Sequence, residues 1–310
     1  MEEEKLIIDV ETEEERRMDQ FLADQMEYSR SFIQKLIKNE KVTVNGNVIT
    51  KVKYPVSFRD KIIIEIPAPT ELEIKPEKMD LDILYEDNDV IVIDKPKGMV
   101  VHPSAGHMSH TLVNGLLYHC KGNLSGINGV LRPGIVHRID MDTTGAIIAC
   151  KNDIAHQSLA KQLQVHSITR KYEAIVYHNL QEETGTIDKP IGRHPVHRKK
   201  MAVVQPEKGK RAVTHYRVLS HLNHKFNYIE CQLETGRTHQ IRVHMASIMH
   251  PLLGDELYGP KPQKMFEKLQ GQTLHAKILG FQHPVTNQNI EVESPLPQYF
   301  VELLKNLGNS

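Results

Sequence analysis

Residues 137 to 152 read HRIDMDTTGAIIACKN and join chemically active side chains to a short apolar run. Arg138 and Asp140 lie two residues apart, so in an extended segment both side chains project to the same side. A carboxylate acts as a nucleophile or a base only if it stays ionised in a dry pocket, which requires a cation nearby. A lone aspartate after a turn is more commonly a structural cap, so this segment needs support from elsewhere in the chain.

The elements around this segment predict how it is held. GAIIACK indicates a buried strand, and Gly145 at its start would allow close approach of backbone or substrate. Helical spacing follows in DIAHQSLAKQLQVH, and a turn leads into a helix in RTHQIRVHMASIMHP. KYEAIVYH, HYRVLSHL and YIECQLETG are predicted strands. Because strands and helices do not alternate regularly, we expect an α+β fold with a mixed, largely antiparallel sheet.

Length and composition restrict the class of protein. The chain has 310 residues, enough for two domains. Its N-terminus, MEEEKLIIDVETEEE, is acidic, which argues against a secretory or transit peptide, and no stretch approaches the roughly 20 apolar residues of a membrane span. The cysteines are three in number and far apart in sequence, which indicates a reducing compartment. We therefore expect a cytoplasmic protein without a membrane partner.

The formal net charge of zero hides a segregation of charge. Between Lys189 and Lys225 there are ten lysines or arginines and one acid, Glu207. Such a tract indicates a polyanionic partner, although a solvated basic loop is an equally ordinary interpretation.

Residues 16 to 67 form a separate pattern. Two short helices are predicted by apolar residues at helical spacing, the second in SRSFIQKLIKN. Asn45-Gly46, between β-branched residues, predicts a hairpin, and KIIIEIP predicts a further strand. The proline-containing segment APTELEIKPEKMD reads as a linker, so a domain boundary is expected near residues 68 to 80.

Metal and nucleotide sites are not predicted. Histidine is frequent, at 18 residues, but His239 and His244 are five residues apart and have no cysteine partners nearby, which does not match a zinc motif. The glycine-rich segment GNLSGINGVLRPG lacks the GxGxxG and GK[ST] patterns of phosphate-binding loops. We therefore expect no metal and no cofactor.

The front segment resembles an S4-type RNA-binding domain. The resemblance covers RRMDQFLADQ, SRSFIQKLIKNEKVTVNG and DKIIIEIP, and we assign the domain to residues 16–75. It implies a small α/β module whose basic side chains meet RNA phosphates, which by position would be those of Arg17, Arg30, Lys35 and Lys38. Phosphate contacts of this kind give salt-dependent affinity without sequence choice.

Three separated motifs resemble the RluA-type pseudouridine synthases: HRIDMDTTG, KYEAIV and TGRTHQIRVHMA followed by HPLLGDELYG. Together with the front module they cover essentially the whole chain, and they imply a catalytic domain at residues 81–310. The family signature has serine where this sequence has Thr144, a departure that keeps the hydroxyl. The resemblance implies an isomerase that needs no metal or cofactor.

The resemblance also assigns roles. Asp140 would be the catalytic carboxylate, acting on either the ribose or the uracil, and Arg242 would pair with it. Tyr172 would stack on the target base. Since the target uridine has to be flipped out of a folded RNA, the planar guanidinium of Arg138 is suited to fill the vacated place in the stack.

The expected partner is large-subunit ribosomal RNA, bound by a monomer, with Arg198, Lys199 and Lys200 facing the RNA in the basic tract. Transfer RNA is an alternative substrate. Two other functions stay open at this point: a non-catalytic ribosome assembly factor on the same fold, and a nucleoside glycosidase with Asp142 as its second carboxylate.

Overall fold

The structure is a computed structural model, and it describes residues 4–26, 28, 30–66, 74–104, 106–128, 132–261 and 263–308. The chain divides into two compact units, Met1–Glu71 and Leu72–Ser310. No helix in the described ranges is both long and apolar enough to cross a membrane.

The smaller unit packs two helices against a short sheet. Its sheet has the strand order β1-β6-β3-β4, and β2 pairs with β5. The predicted hairpin is confirmed: Asn45 and Gly46 have φ values of 50° and 84°, as a type I′ turn requires at both central positions. The elements of this unit are β1 (Glu4–Asp9), β2 (Arg16–Arg17), α1 (Met18–Gln25), α2 (Arg30–Lys38), β3 (Val42–Val44), β4 (Asn47–Val48), β5 (Pro55–Val56) and β6 (Lys61–Ile66).

The edge strand β1 is an element that sequence reasoning missed, because it lies in the acidic N-terminal segment. It pairs antiparallel with β6, with Leu6 opposite Ile64. Leu6 and Ile8 pack on the core of the unit, whereas Ile7 is exposed. This alternation is the period-2 pattern of a half-buried strand, too short to stand out among the surrounding acids.

The larger unit is built on one mixed sheet. Its strand order is β11-β14-β15-β10-β16-β9-β8-β7, with β17 pairing β16. The β9–β16 pair is parallel and the other pairs of this sheet are antiparallel, which confirms the predicted α+β fold with a largely antiparallel sheet. Its elements are β7 (Ile83–Glu86), β8 (Val90–Lys95), α3 (Leu112–His119), β9 (Thr144–Cys150), α4 (Asp153–Gln164), β10 (Thr169–Tyr177), β11 (Thr184–Asp188), β12 (Ile191–Arg193), β13 (Met201–Val203), β14 (Val213–Leu222), β15 (Phe226–Leu233), α5 (Gln240–Ser247), β16 (Leu274–Gln282), β17 (Asn289–Glu293) and α6 (Gln298–Gly308).

Strand β9 lies in the middle of this sheet and is buried along its whole length. Ile147 belongs to the core cluster on one face of the sheet, and Ile148 to the cluster on the other. Gly145 has a φ of 106°, and a Cβ at this position would come within 2.3 Å of the Ala276 carbonyl oxygen on β16. Gly145 therefore permits close approach of the neighbouring strand β16, and not of substrate.

Residues 74–80, within the predicted linker, belong to the larger unit and contact its helix α3. The Asn114 side-chain amide donates to the Lys75 carbonyl at 2.8 Å, and the Glu77 amide donates to the Asn114 carbonyl at 3.0 Å. Ile74 packs on the principal core cluster. This part of the linker segment is thus anchored on α3, while residues 67–73 lie outside the described ranges.

Candidate active site

The segment before β9 is fixed from both ends. His137 accepts a hydrogen bond at Nε2 from the Ile148 amide at 3.1 Å, and the Asp140 carbonyl accepts one from the Thr143 amide at 3.1 Å. Burial, with a smaller contribution from the charge of Arg170, lowers the pKa of His137 to about 3, so its imidazole is neutral at pH 7. The segment is therefore held against β9 at its start and closes in a turn at Asp140.

Lys95 also holds this segment, through the carbonyl of Met141, and sequence reasoning missed this role. Its side chain is fully buried, and Nζ donates to the carbonyls of Pro96, Met99 and Met141 at 2.8 to 2.9 Å. Burial lowers the pKa of Lys95 to about 7, against the opposing effect of the Asp142 and Asp140 charges.

The structure brings together Asp140 and Arg242, which are 102 positions apart in sequence. Arg242 lies in the first turn of α5, and its Nη1 donates to Asp140 Oδ2 at 2.8 Å. Burial lowers the pKa of Arg242, but the hydrogen bonds and charges of Asp255 and Asp140 outweigh this and raise it above its ordinary value. The guanidinium is therefore a permanent cation beside the Asp140 carboxylate.

Asp255 holds Arg242 in place from the opposite edge of its guanidinium. Nε and Nη2 of Arg242 donate to the two carboxylate oxygens of Asp255 at 2.6 and 2.9 Å. Asp255 is 1% exposed, and its Oδ1 also accepts the amides of Leu257 and Tyr258. Such a bidentate pair fixes both the distance and the plane of the guanidinium. Asp255 is the aspartate of the HPLLGDELYG motif, and its role became apparent only in the structure.

Tyr258 and His239 complete the wall around the ion pair. The ring of Tyr258 lies 5.2 Å from Arg242 Cζ, and its hydroxyl accepts the Met201 amide and lies 2.8 Å from His239 Nδ1. His239 Nε2 is 3.8 Å from Asp140 Oδ1. Burial lowers the pKa of His239 against the charge of Asp140, so the imidazole is neutral at pH 7. This histidine and His244, which contacts Thr214 and the Lys189 carbonyl, are thus engaged in protein hydrogen bonds.

A cavity of about 340 Å³ opens in front of Asp140. Tyr172 lines it and is 7% exposed, and burial raises the pKa of its hydroxyl, which therefore stays protonated at pH 7. Arg138 lines the same cavity and is exposed, whereas Ile139 between Arg138 and Asp140 is buried in the core. This alternation places Arg138 and Asp140 on the same side of the segment, as the two-residue spacing suggested.

The basic residues predicted to meet RNA fall into two groups. In the smaller unit, Arg17 and Arg30 form ion pairs with the fully buried Asp19, at 3.1 and 2.8 Å, while Lys35 and Lys38 are exposed on α2. The two arginines therefore have a structural partner as well as an exposed portion.

The second group lies in the loop between β12 and β13. Arg198 and Lys199 are exposed, and the Lys200 ammonium lies 5.9 Å from the ring of Tyr258. The Met201 amide donates to the Tyr258 hydroxyl, so this basic loop is joined directly to the wall of the candidate active site.

One described group, Asp87, Asp89 and His283, has the spacing of a metal site. His283 Nδ1 accepts the amides of Val285 and Thr286, which leaves Nε2 to donate to Asp87 at 2.8 Å. Asp89 accepts a hydrogen bond from the Asn152 side chain. These hydrogen bonds give the group a structural role: they connect the turn between β16 and β17 to the turn between β7 and β8.

Comparison with known proteins identifies the family of the chain. The family model described as RNA pseudouridylate synthase matches residues 89–247, and that of the S4 domain matches residues 16–62. An uncharacterized RNA pseudouridine synthase of Bacillus subtilis (strain 168), YlyB, is 50% identical over 304 residues, which is 97% of this chain and 98% of that protein. The ribosomal large subunit pseudouridine synthase D of Zymomonas mobilis is 45% identical over 94% of this chain and 93% of its own length.

A solved structure shares the fold. Human RNA pseudouridylate synthase domain containing 4 superimposes with a TM-score of 0.58 at 26% identity, covering 73% of this chain and 92% of that one. The family predicted from the three motifs is therefore confirmed. With these matches over almost its full length, the chain belongs to the RNA pseudouridine synthases, in their RluA-type branch, and is an isomerase that carries an S4 domain.

Proposed function

We propose that this enzyme isomerises uridines in large-subunit ribosomal RNA and that Asp140 is its catalytic residue. The observation that carries the proposal is the Asp140–Arg242 pair, at 2.8 Å, in the wall of a cavity large enough for a nucleotide base. A counter-charge beside a carboxylate that faces a cavity favours the ionised form, which is the form that acts as a nucleophile or a base.

The reaction makes few demands on the protein. The bond between ribose C1′ and uracil N1 breaks, a bond between C1′ and C5 forms, C5 loses its proton and N1 gains one. Asp140 would act on the ribose or on the uracil while Arg242 balances its charge. Tyr172 would support the detached base by stacking. No redox partner enters this balance.

Base flipping would bring the uridine to the cavity. Removing a base from its stack costs a few kcal/mol, and a planar side chain that fills the gap reduces that cost. Arg138 is exposed at the cavity rim, which supports the role of filling the gap while Asp140 meets the evicted nucleotide. Because Asp140, Arg242 and Asp255 all belong to one chain, we propose that a monomer suffices.

The choice of ribosomal RNA rests on relatives and on the S4 domain. Proteins named ribosomal large subunit pseudouridine synthase D are 43 to 45% identical to this chain over 93% or more of its length. The basic loop at residues 198–200 and the exposed lysines of α2 would bind RNA phosphates. Transfer RNA is the alternative substrate, and the test below separates the two.

The test uses unmodified transcripts of large-subunit ribosomal RNA and of transfer RNAs, each labelled with tritium at uracil C5. We expect the wild type to release tritium from the ribosomal transcript, the Asp140→Asn variant to release none, and the matched surface variant Asp188→Asn to match the wild type. Release from transfer RNA alone would overturn the ribosomal assignment. Tritium release by Asp140→Asn would remove Asp140 from its role. Free uracil among the products would indicate a glycosidase, and RNA binding without tritium release would indicate an assembly factor.

A further inference from the structure

Arg170 is a buried cation that lines the cavity, and the proposed mechanism gives this residue no role. It lies two residues before Tyr172 on β10, and both side chains therefore project from the same face of the sheet. Arg170 is 6% exposed and Tyr172 7%, and both line the cavity. The guanidinium thus lies beside the position proposed for the uracil ring.

The guanidinium of Arg170 is incompletely satisfied. In the described part of the chain its only hydrogen bond runs from Nη2 to the Glu234 carbonyl, at 3.2 Å, and it forms no ion pair. Its Nε is buried without any partner. Buried charges normally have a counter-charge because their desolvation costs several kcal/mol, so the missing partner needs an explanation. Arg242, in the same cavity, has two carboxylates.

The turn after β15 is shaped around this guanidinium. Gly236 lies against it, and a Cβ at this position would come within 2.6 Å of Arg170 Nη1. On the next residue, Arg237, Nε donates to the Arg211 carbonyl, and its side chain also lines the cavity. Glu234, the first residue of this turn, has its carboxylate paired with Arg211 and His215. Among the described residues, the turn therefore gives Arg170 a backbone acceptor and no counter-charge.

The side chains that line the cavity carry a net positive charge. Among the described residues that line it there is one carboxylate, that of Asp140, and this is already paired with Arg242. The guanidinium groups number four, those of Arg138, Arg170, Arg237 and Arg242. Four cations, the lining anion Asp140 and Asp255 behind Arg242 leave an excess of two positive charges, which favours an anionic ligand.

We propose that Arg170 binds the backbone phosphate that flanks the flipped uridine. This inference rests on the proposed function, because it assumes that the uracil lies against Tyr172. Residues two apart in a strand are separated by about 7 Å, so Arg170 lies roughly one sugar's length from the base position. Arginine meets phosphate with parallel, charge-assisted hydrogen bonds, and the free N–H groups of Arg170 supply the donors. The substrate phosphate is then the counter-charge that the protein omits.

The test compares phosphate contacts in wild type and variants. A stem-loop RNA covering the mapped target uridine is synthesised with a charge-neutral methylphosphonate at the linkage on its 5′ or its 3′ side. Binding is measured in the Asp140→Asn background, so that the RNA is not consumed. We expect one of the two neutral linkages to weaken binding by Arg170-containing protein about 10-fold, a typical loss for one charge-assisted contact.

Arg170→Gln is the decisive variant, because glutamine keeps a donor for the Glu234 carbonyl and loses the charge. We expect it to bind the normal RNA about 10-fold more weakly and to be indifferent to the neutral linkage. The slope of log binding constant against log salt should fall by roughly 0.7, the value for one phosphate contact to a single strand. Arg170→Lys, which retains a charge, should keep its sensitivity to the linkage. Lys305→Gln, at an exposed position of α6 outside the basic tract, should behave as wild type.

The outcomes separate this inference from the proposed function. If Arg170→Gln is as sensitive to the neutral linkage as the wild type, Arg170 does not bind that phosphate and the inference is wrong. If Arg170→Gln and Arg170→Lys melt at the wild-type temperature but bind normally, the inference is wrong as well. If the wild type releases no tritium from any ribosomal transcript, the ribosomal assignment fails, and the same measurement on an active RNA still decides the role of Arg170.

Discussion

Asp255→Asn tests whether a residue that does not touch the substrate sets the geometry of the catalytic pair. Asp255 receives four hydrogen bonds, two from Arg242 and one each from the amides of Leu257 and Tyr258. In the variant, one carboxylate oxygen becomes an NH₂ group. The asparagine side chain can place its NH₂ group at either oxygen position. The Oδ2 position costs less, because Oδ1 accepts three of the four hydrogen bonds.

The magnitude follows from what this orientation loses. One charge-assisted hydrogen bond, from Arg242 Nε, is replaced by two donors facing each other, and such a bond contributes about 1.5–3 kcal/mol. We therefore expect the free energy of unfolding to fall by about 2–3 kcal/mol, less than the 3–5 kcal/mol typical of removing one partner of a buried ion pair. If the loss of this hydrogen bond lets the Arg242 guanidinium rotate away from Asp140, about 2.7 kcal/mol of transition-state stabilisation is lost. This corresponds to roughly a 100-fold decrease in kcat.

The assay measures tritium release and urea unfolding on the same preparations. We expect kcat to fall while KM stays near its wild-type value, because Asp255 is 1% exposed and lies behind Arg242. Asp188→Asn is the matched control: its pair with Arg211 is on the surface, where such pairs contribute about 0–1 kcal/mol, and activity should be unchanged. A variant with lowered stability but wild-type kcat would refute the idea that Asp255 positions Arg242.

Two further predictions concern the loop and its supports. Thr144 places its hydroxyl 2.8 Å from Nδ1 of the buried His275, whose Nε2 faces the Ser294 carbonyl. Thr144→Ser should cost about 1 kcal/mol for a buried methyl group, whereas Thr144→Val should cost more, up to about 3 kcal/mol, because it leaves His275 unsatisfied; thermal unfolding of both variants decides. Burial lowers the pKa of His275 to about 4 and that of His137 to about 3. Between pH 6.5 and 4 the unfolded chain binds more protons than the folded one, so stability should fall as pH falls, by up to about 1.4 kcal/mol per pH unit for each histidine. Urea unfolding at pH 7, 6 and 5 checks this, and a flat profile would contradict it.

Much of the fold could be predicted because its signals are local. The strand β9 is an uninterrupted apolar run, the hairpin at Asn45-Gly46 depends on two residues that tolerate positive φ, and α5 follows a recognisable turn. The edge strand β1 was missed because its alternation covers only six residues within an acidic segment. Residues 74–80 were read as part of a linker, since composition cannot show that Asn114 anchors them.

The sequence by itself determined which side chains are proposed to carry the chemistry: the HRID segment, the tyrosine of KYEAIV and the arginine of HQIRVH are readable as motifs, and Arg138 and Asp140 share a side because backbone geometry is local. Only the tertiary structure decided which groups meet. Asp140 and Arg242 come together through the packing of α5 against the sheet, and Asp255 completes the pair. Arg170 has no counter-charge among the residues that the structure describes. The physical reason is that ion pairing and burial depend on distances in space between elements far apart in the chain, and one-dimensional spacing does not contain those distances.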